Sequence, residues 1–152
     1  MADSGEAEDR PTVSVPGDPG GEDLLLPRVP ATGAATRSAR DQFTTWAART
    51  GLDEGQVDDA ALAVYEAMVN VVDHAYDPPG SGALDLHACR KDGFVTVTVT
   101  DHGQWKQRGD EQPGLRGRGL LMIERLTHAF EVVPHAWGTV VTMSWLVHAQ
   151  AV

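Results

Sequence analysis

The run from Ala60 to Val72 reads AALAVYEAMVNVV, and its only strongly polar side chains are Glu66 and Asn70, four residues apart. In a helix, residues i and i+4 stack on one face, so the carboxylate and the carboxamide point the same way one turn apart. His74 follows two turns beyond Glu66 on nearly the same face. A carboxylate in apolar company is costly unless something pairs with it. This pair suits a metal ion, a phosphate-bearing ligand or an acceptor hydroxyl. It also suits a helix edge at which Glu66 simply reaches water.

Three further constellations lie downstream. Asp101-His102-Gly103 ends the most regular strand-like run. A carboxylate there can accept a hydrogen bond from an exocyclic amine, and a glycine lets a flat ligand approach the backbone. The same three residues also make an ordinary turn. Leu115-Arg116-Gly117-Arg118-Gly119-Leu120 closes a glycine-rich stretch and opens a helical one. Free N–H groups and the helix dipole make such a terminus an anion site, with Arg116 and Arg118 suited to phosphate oxygens. A linker with solvated arginines has the same composition. No Gly-Lys-Ser/Thr follows, so it is not a Walker A loop. Gly138-Thr139 is a tight turn feeding a strand and by itself signals only a hairpin.

The elements that would position these residues follow from periodicity and breakers. Residues 22–30 form a short edge strand ended by Pro27 or Pro30. Thr32 or Thr36 caps a helix running to about Thr50, stopped by Gly51, and Asp53 opens the helix that carries Glu66 and ends near Tyr76. Two strands, Ala83–Arg90 and Phe94–Thr100, are joined by Lys91-Asp92-Gly93, a hairpin signal. In FVTVTVT, Val95, Val97 and Val99 alternate with Thr96, Thr98 and Thr100, so one face is apolar. Residues 102–117 lack periodicity and contain four glycines, which predicts a mobile loop. A helix over Arg118–His128 and strands over Phe130–Pro134 and Thr139–Val147 complete the chain. Helices and strands are segregated, so the expected fold is α+β: a two-layer sandwich with a mainly antiparallel, mixed sheet and helices on one face.

Composition sets the outer limits. The 152 residues are 41% hydrophobic, enough for one domain with a real core, and the formal net charge is −10. That charge excludes a general nucleic-acid binder, which needs a basic face. Residues 1–22 are rich in Gly, Pro, Ser, Asp and Glu and read as a disordered acidic tail, leaving 23–152 as the folded domain. The single cysteine, Cys89, has no disulfide partner within the chain and reads as a small apolar filler. The histidines fall into no zinc pattern, and no Gly-x-Ser-x-Gly elbow anchors a hydrolase triad. No stretch is apolar enough to span a membrane, and the acidic start is unlike a signal peptide, so a cytoplasmic location is expected.

In order and on these elements, the four constellations resemble the motifs of the GHKL ATPase/kinase superfamily, the Bergerat ATP-binding fold. Glu66-x-x-x-Asn70-x-x-x-His74-Ala75-Tyr76 resembles its N box, Asp101-x-Gly103 its G1 box, Gly117-x-Gly119-Leu120 its G2 box and Gly138-Thr139 its G3 motif. The resemblance covers roughly residues 24–147 and is closest in character to stand-alone anti-sigma-factor serine kinases. It implies ATP and Mg²⁺ as cofactors. Asn70 would hold the metal, Asp101 would read the adenine amino group over Gly103, and Thr139 would support the adenine side. Gly117, Gly119 and Leu120 would cover the phosphates, flanked by Arg116 and Arg118, with His74 on the same ligand-facing side. Glu66 would be the general base toward a serine of a partner protein. Implied partners are a sigma factor, an anti-sigma-factor antagonist and a second copy of the chain, with no nucleic acid or membrane.

Two departures from the motifs stand out. Gln104-Trp105 replaces the Gly-containing continuation of Asp-x-Gly-x-Gly, so an indole stands in the second glycine's place, where it could cover the base, stiffen the hinge or plug a hydrophobic gap. The lid from Gln104 to Arg116 is short and contains Pro113. Both leave open a second reading, a non-catalytic module that binds nucleotide weakly and acts by sequestration. A small ATP-hydrolysing domain of a sensor kinase fits less well, because no dimerisation helix with a phosphoacceptor histidine precedes the N box.

Overall fold

The computed structural model describes residues 21–105 and 117–148, with only the backbone described for 117–119. The order is β1 (Leu24–Pro30), α1 (Gly33–Ala47), α2 (Glu54–His74), β2 (Ala83–Lys91), β3 (Phe94–Asp101), α3 (Gly117–Leu126), β4 (Ala129–His135) and β5 (Gly138–Leu146). The strands form one five-stranded sheet in the order β1-β2-β3-β5-β4. The fold is the expected α+β sandwich, and each of its four strand pairings is antiparallel, not mixed.

Period-2 patterning decides which face of the sheet is covered. Leu84, Leu86 and Ala88 of β2, Val95, Val97 and Val99 of β3, and Val141, Met143 and Trp145 of β5 are all buried. The helices close over them with Phe43 and Trp46 of α1, Val64, Met68 and Val71 of α2, and Ile123 of α3 in the same cluster. Each such aliphatic or aromatic side chain contributes roughly 1.5–3 kcal/mol by leaving water. The threonines of β3 lie on the opposite, half-buried face. Cys89 belongs to that face too, with Asp85 and His87, so it does not fill the core.

The helix starts are fixed by side chains. Thr32, not Thr36, caps α1 and accepts a bond from the Ala35 N–H at 3.2 Å. Asp53 and Gln56 make a reciprocal capping box at the start of α2, with bonds of 2.8 and 3.0 Å. Gln56 Nε2 also donates to the Leu146 carbonyl at 2.7 Å, pinning the start of α2 to the end of β5. The α2 axis, and the residues along it, are therefore set by the sheet.

Two helix ends differ from those read off the sequence: α1 stops at Ala47, short of Thr50, and α3 stops early as well, while β1 takes the later of its two expected ends. The last helix opens at Gly117 and stops at Leu126, short of His128. There Thr127 Oγ1 donates back to the Ile123 carbonyl at 2.9 Å, and the His128 N–H turns to the Ser144 carbonyl at 2.9 Å. The sheet captures the backbone before another helical turn forms. In β1 the strand continues past Pro27 to Pro30 through a register shift between Leu26 and Val29. The acidic tail expected over residues 1–22 lies outside the described residues up to 20, while the Glu22 carbonyl accepts a 2.9 Å bond from Trp46 Nε1. Most of the expected loop and lid, residues 106–116 with Pro113, also lies outside the described residues.

Candidate functional site

Asp101 is the last residue of β3 and is 1% exposed. Its Oδ1 accepts the Gly103 N–H at 3.0 Å and its Oδ2 accepts the Trp105 indole N–H at 2.9 Å. Antiparallel register places Thr139, 6% exposed, directly across from it on β5. The strand ends alone thus unite two residues 38 positions apart in sequence.

The loop after Asp101 is docked on the end of α2. The Ala75 carbonyl, one of the orphan acceptors that every helix C-terminus leaves, takes the Gln104 N–H at 2.8 Å. This close approach requires glycine at 103, because a Cβ there would overlap the Ala75 carbonyl oxygen and lie 2.7 Å from its carbon. Gly138 plays the matching part from the other side. It has φ of +155°, and a Cβ on it would overlap the Asp101 carbonyl oxygen and approach His102 Cα at 2.7 Å.

Tyr76 ties the same corner together. Its hydroxyl donates to the Ala83 carbonyl at 2.6 Å and accepts the His102 N–H at 2.9 Å, joining the end of α2 to β2 and to the loop after β3. Its ring lies where a Cβ of Gly82 would be. The sequence marks Tyr76 only as the end of a motif; Gly82, which makes room for its ring, is the one local signal of this role. Tyr76→Phe removes both bonds and is expected to lower stability by about 1–2 kcal/mol, measured as a shift in urea midpoint at unchanged slope.

Glu66, Asn70 and His74 lie on α2 leading into this corner. Glu66 and Asn70 are each half-buried, at the margin of a helix face made by Ala63, Val64, Ala67, Met68 and Val71. Among the described residues Glu66 has no hydrogen-bond or ion-pair partner. The Asn70 Nδ2 atom is buried with no hydrogen-bond partner among the described residues. An amide left in that condition costs about 1–3 kcal/mol, and such groups are rare in native proteins. His74 is exposed, with its ring centroid 6.0 Å from that of Trp105.

The glycine-rich constellation is only partly visible. Arg116 lies outside the described residues, and Gly117, Arg118 and Gly119 form the first backbone turn of α3. Leu120 is half-buried and packs against the core. A surface depression of about 550 Å³, lined by Lys91, Phe94, Thr96, His128 and Ser144 among others, lies at the opposite end of β3 and includes none of the site residues. Among the described residues no group of three or more His, Cys, Asp or Glu side chains forms a metal cage.

A helical layer over one face of an antiparallel sheet, with an Asp-x-Gly loop docked on the end of the helix that carries Glu and Asn, is the layout of an ATP-binding domain of the GHKL superfamily. The chain belongs to the histidine kinase-like ATPase domain family, which matches residues 29–145. It is similar to two proteins named serine-protein kinase RsbW. With that of Halalkalibacterium halodurans it is 37% identical over 76 residues, half of this chain and 46% of the relative. With that of Oceanobacillus iheyensis it is 26% identical over 136 residues, 80% of this chain and 85% of the relative. Among solved structures, the RsbU and RsbW domains of Rv1364c from Mycobacterium tuberculosis superpose with a TM-score of 0.67 at 30% identity, over 85% of this chain and 33% of that one. A blue-light-activated histidine kinase domain from Erythrobacter litoralis shares the fold, with a TM-score of 0.55 at 19% identity over 78% of this chain and 61% of that one. The family expected from the four motifs is the family found.

Proposed function

We propose that this protein is a Mg-ATP-dependent protein serine kinase of the anti-sigma-factor type, which sequesters a sigma factor and phosphorylates a serine of the antagonist that releases it. The observation that carries the reading is the Asn70 Nδ2 atom, buried and without a hydrogen-bond partner among the described residues. A protein retains such a group where a ligand completes it. The side-chain carbonyl oxygen of Asn70 is the atom that a cation would take. The close backbone approaches at Gly103 and Gly138 are a second fit, since they hold Asp101 rigidly at the edge where a base would lie.

ATP is a substrate here, and it supplies the γ-phosphoryl group. Asn70 would hold Mg²⁺ beside the phosphates, and the first backbone turn of α3 would contribute N–H groups to them. Asp101 would accept the exocyclic amine of adenine, with Thr139 alongside. Glu66 accepts the proton of the partner's serine hydroxyl as its oxygen bonds to the γ-phosphorus and the bond to the bridging oxygen breaks, leaving ADP. Catalysis of this kind is mostly positioning and charge neutralisation, with one carboxylate orienting the nucleophile.

Calorimetric titration with Mg-ATP tests the carrying observation. Asn70→Ala is expected to weaken Mg-ATP binding by about tenfold or more, yet to leave folding stability level or slightly higher, because it removes an unsatisfied group. Unchanged affinity in this variant would remove the metal role. A second reading, sequestration with little nucleotide chemistry, is favoured by one observation: Asp101 Oδ2 already holds the Trp105 indole.

A further inference from the structure

Trp105 does what a glycine in its place never could. An indole N–H is a hydrogen-bond donor on the rim of a flat aromatic ring, and an adenine amino group is another. In the folded chain the indole donor meets Asp101 Oδ2 at 2.9 Å, while Oδ1 is held by the Gly103 N–H at 3.0 Å. Asp101 is 1% exposed, so its carboxylate has almost no access to water and depends on these donors. We infer that Trp105 is an internal competitor for the base subsite: its indole occupies the carboxylate that adenine would read, and nucleotide binds only as the indole leaves. This rests on the reading of Asp101 as the adenine acceptor.

Physical chemistry supports displacement over coexistence. A carboxylate oxygen has lone pairs for two donors, but two ring systems approaching one nearly buried oxygen edge-on exclude each other. The indole has no second polar atom to anchor it, and its ring is only half-buried. The His74 ring stands 6.0 Å from it and tilted by 34°, which is a loose contact, not a clamp. The exchange of one charge-assisted N–H bond for another is near balance, so the indole lowers apparent affinity without abolishing binding. Apparent Kd is the intrinsic Kd divided by the fraction of molecules with Asp101 free. An indole seated about nine-tenths of the time weakens binding about tenfold. Trp105 would thus set the ATP concentration at which the protein switches.

The test uses the full chain and Mg-ATP. Trp105→Phe keeps an aromatic ring and removes the donor; Trp105→Gly removes both. Each is expected to bind Mg-ATP about tenfold more tightly than the unaltered protein, with inorganic tripolyphosphate, which has no base, binding equally to all three. In the unaltered protein the four tryptophans give four indole N–H signals in a nitrogen–proton spectrum. The Trp105 signal, assigned by its absence from Trp105→Phe, should be protected from exchange in the free protein and lose protection on Mg-ATP saturation. Binding of Mg-ATP to the unaltered protein with equal or weaker binding to both variants overturns the competition while leaving the nucleotide reading intact. A Trp105 signal that stays protected with nucleotide bound overturns it as well. Failure of all three proteins to bind Mg-ATP removes the nucleotide reading, and the inference falls with it.

Discussion

Glu66→Gln is expected to lower phosphoryl transfer to a partner serine by about 10²–10⁴-fold, the usual contribution of a positioned general base. Glutamine keeps the size and the hydrogen-bonding reach of the side chain but cannot take a proton. Glu66 is half-buried, and among the described residues no bond or ion pair is lost with it. Folding and Mg-ATP affinity should therefore stay within about twofold of the parent, which isolates the chemical step. Single-turnover labelling with γ-labelled ATP and the cognate antagonist reads the transfer, and calorimetry reads the binding. Transfer at the parental rate would take the base role from Glu66 and leave it a residue on the helix margin.

The second large effect is structural. Gly138→Ala should destabilise the fold by roughly 3 kcal/mol or more, beyond ordinary overpacking, because the new methyl meets backbone and not a movable side chain. The Asp101 carbonyl and His102 Cα stand in its way, and both belong to the strand end that carries the candidate base acceptor. Gly80 is the control. It also has positive φ, +95°, but a methyl group there would meet no atom within 4 Å. Gly80→Ala should cost only about 1–2 kcal/mol, from the backbone conformation alone. Urea denaturation of the two variants side by side separates steric exclusion from conformational strain; equal losses would mean that strand β5 shifts freely away from β3.

Much of the architecture was legible because local signals and the global fold agree. The valines of FVTVTVT alternate at period two and are the buried residues of the central strand. Asp53 opens α2 as its residue type predicts, and in the folded chain Gln56 completes a capping box with it. Other features depend on pairs that no local pattern connects. The Tyr76 hydroxyl serves two partners, seven and 26 residues away. The end of α3 is decided by Ser144, across the sheet, rather than by a stop residue. In the candidate site, the i, i+4 spacing of Glu66 and Asn70 was readable, whereas the burial of Asn70 Nδ2 without a partner among the described residues arises only once the neighbouring helix faces are packed. Trp105 was visible as a departure from the motif, but its bond to Asp101 depends on how the loop folds back, which spacing does not specify.

The irregular first strand has a bearing on colloidal behaviour. β1 forms one margin of the sheet, where unpaired backbone groups can template the strands of other molecules. Pro27 and Pro30 have no N–H to offer, and at Arg28 φ is +50°. The Arg28 N–H turns to the Asp85 side chain at 2.7 Å. The register shift between Leu26 and Val29 bends what remains. The paired runs that remain, Leu24–Leu26 and Val29–Pro30, are each too short for an added strand to zip along. The margin that would otherwise seed fibrillar stacking is blunted by its own sequence.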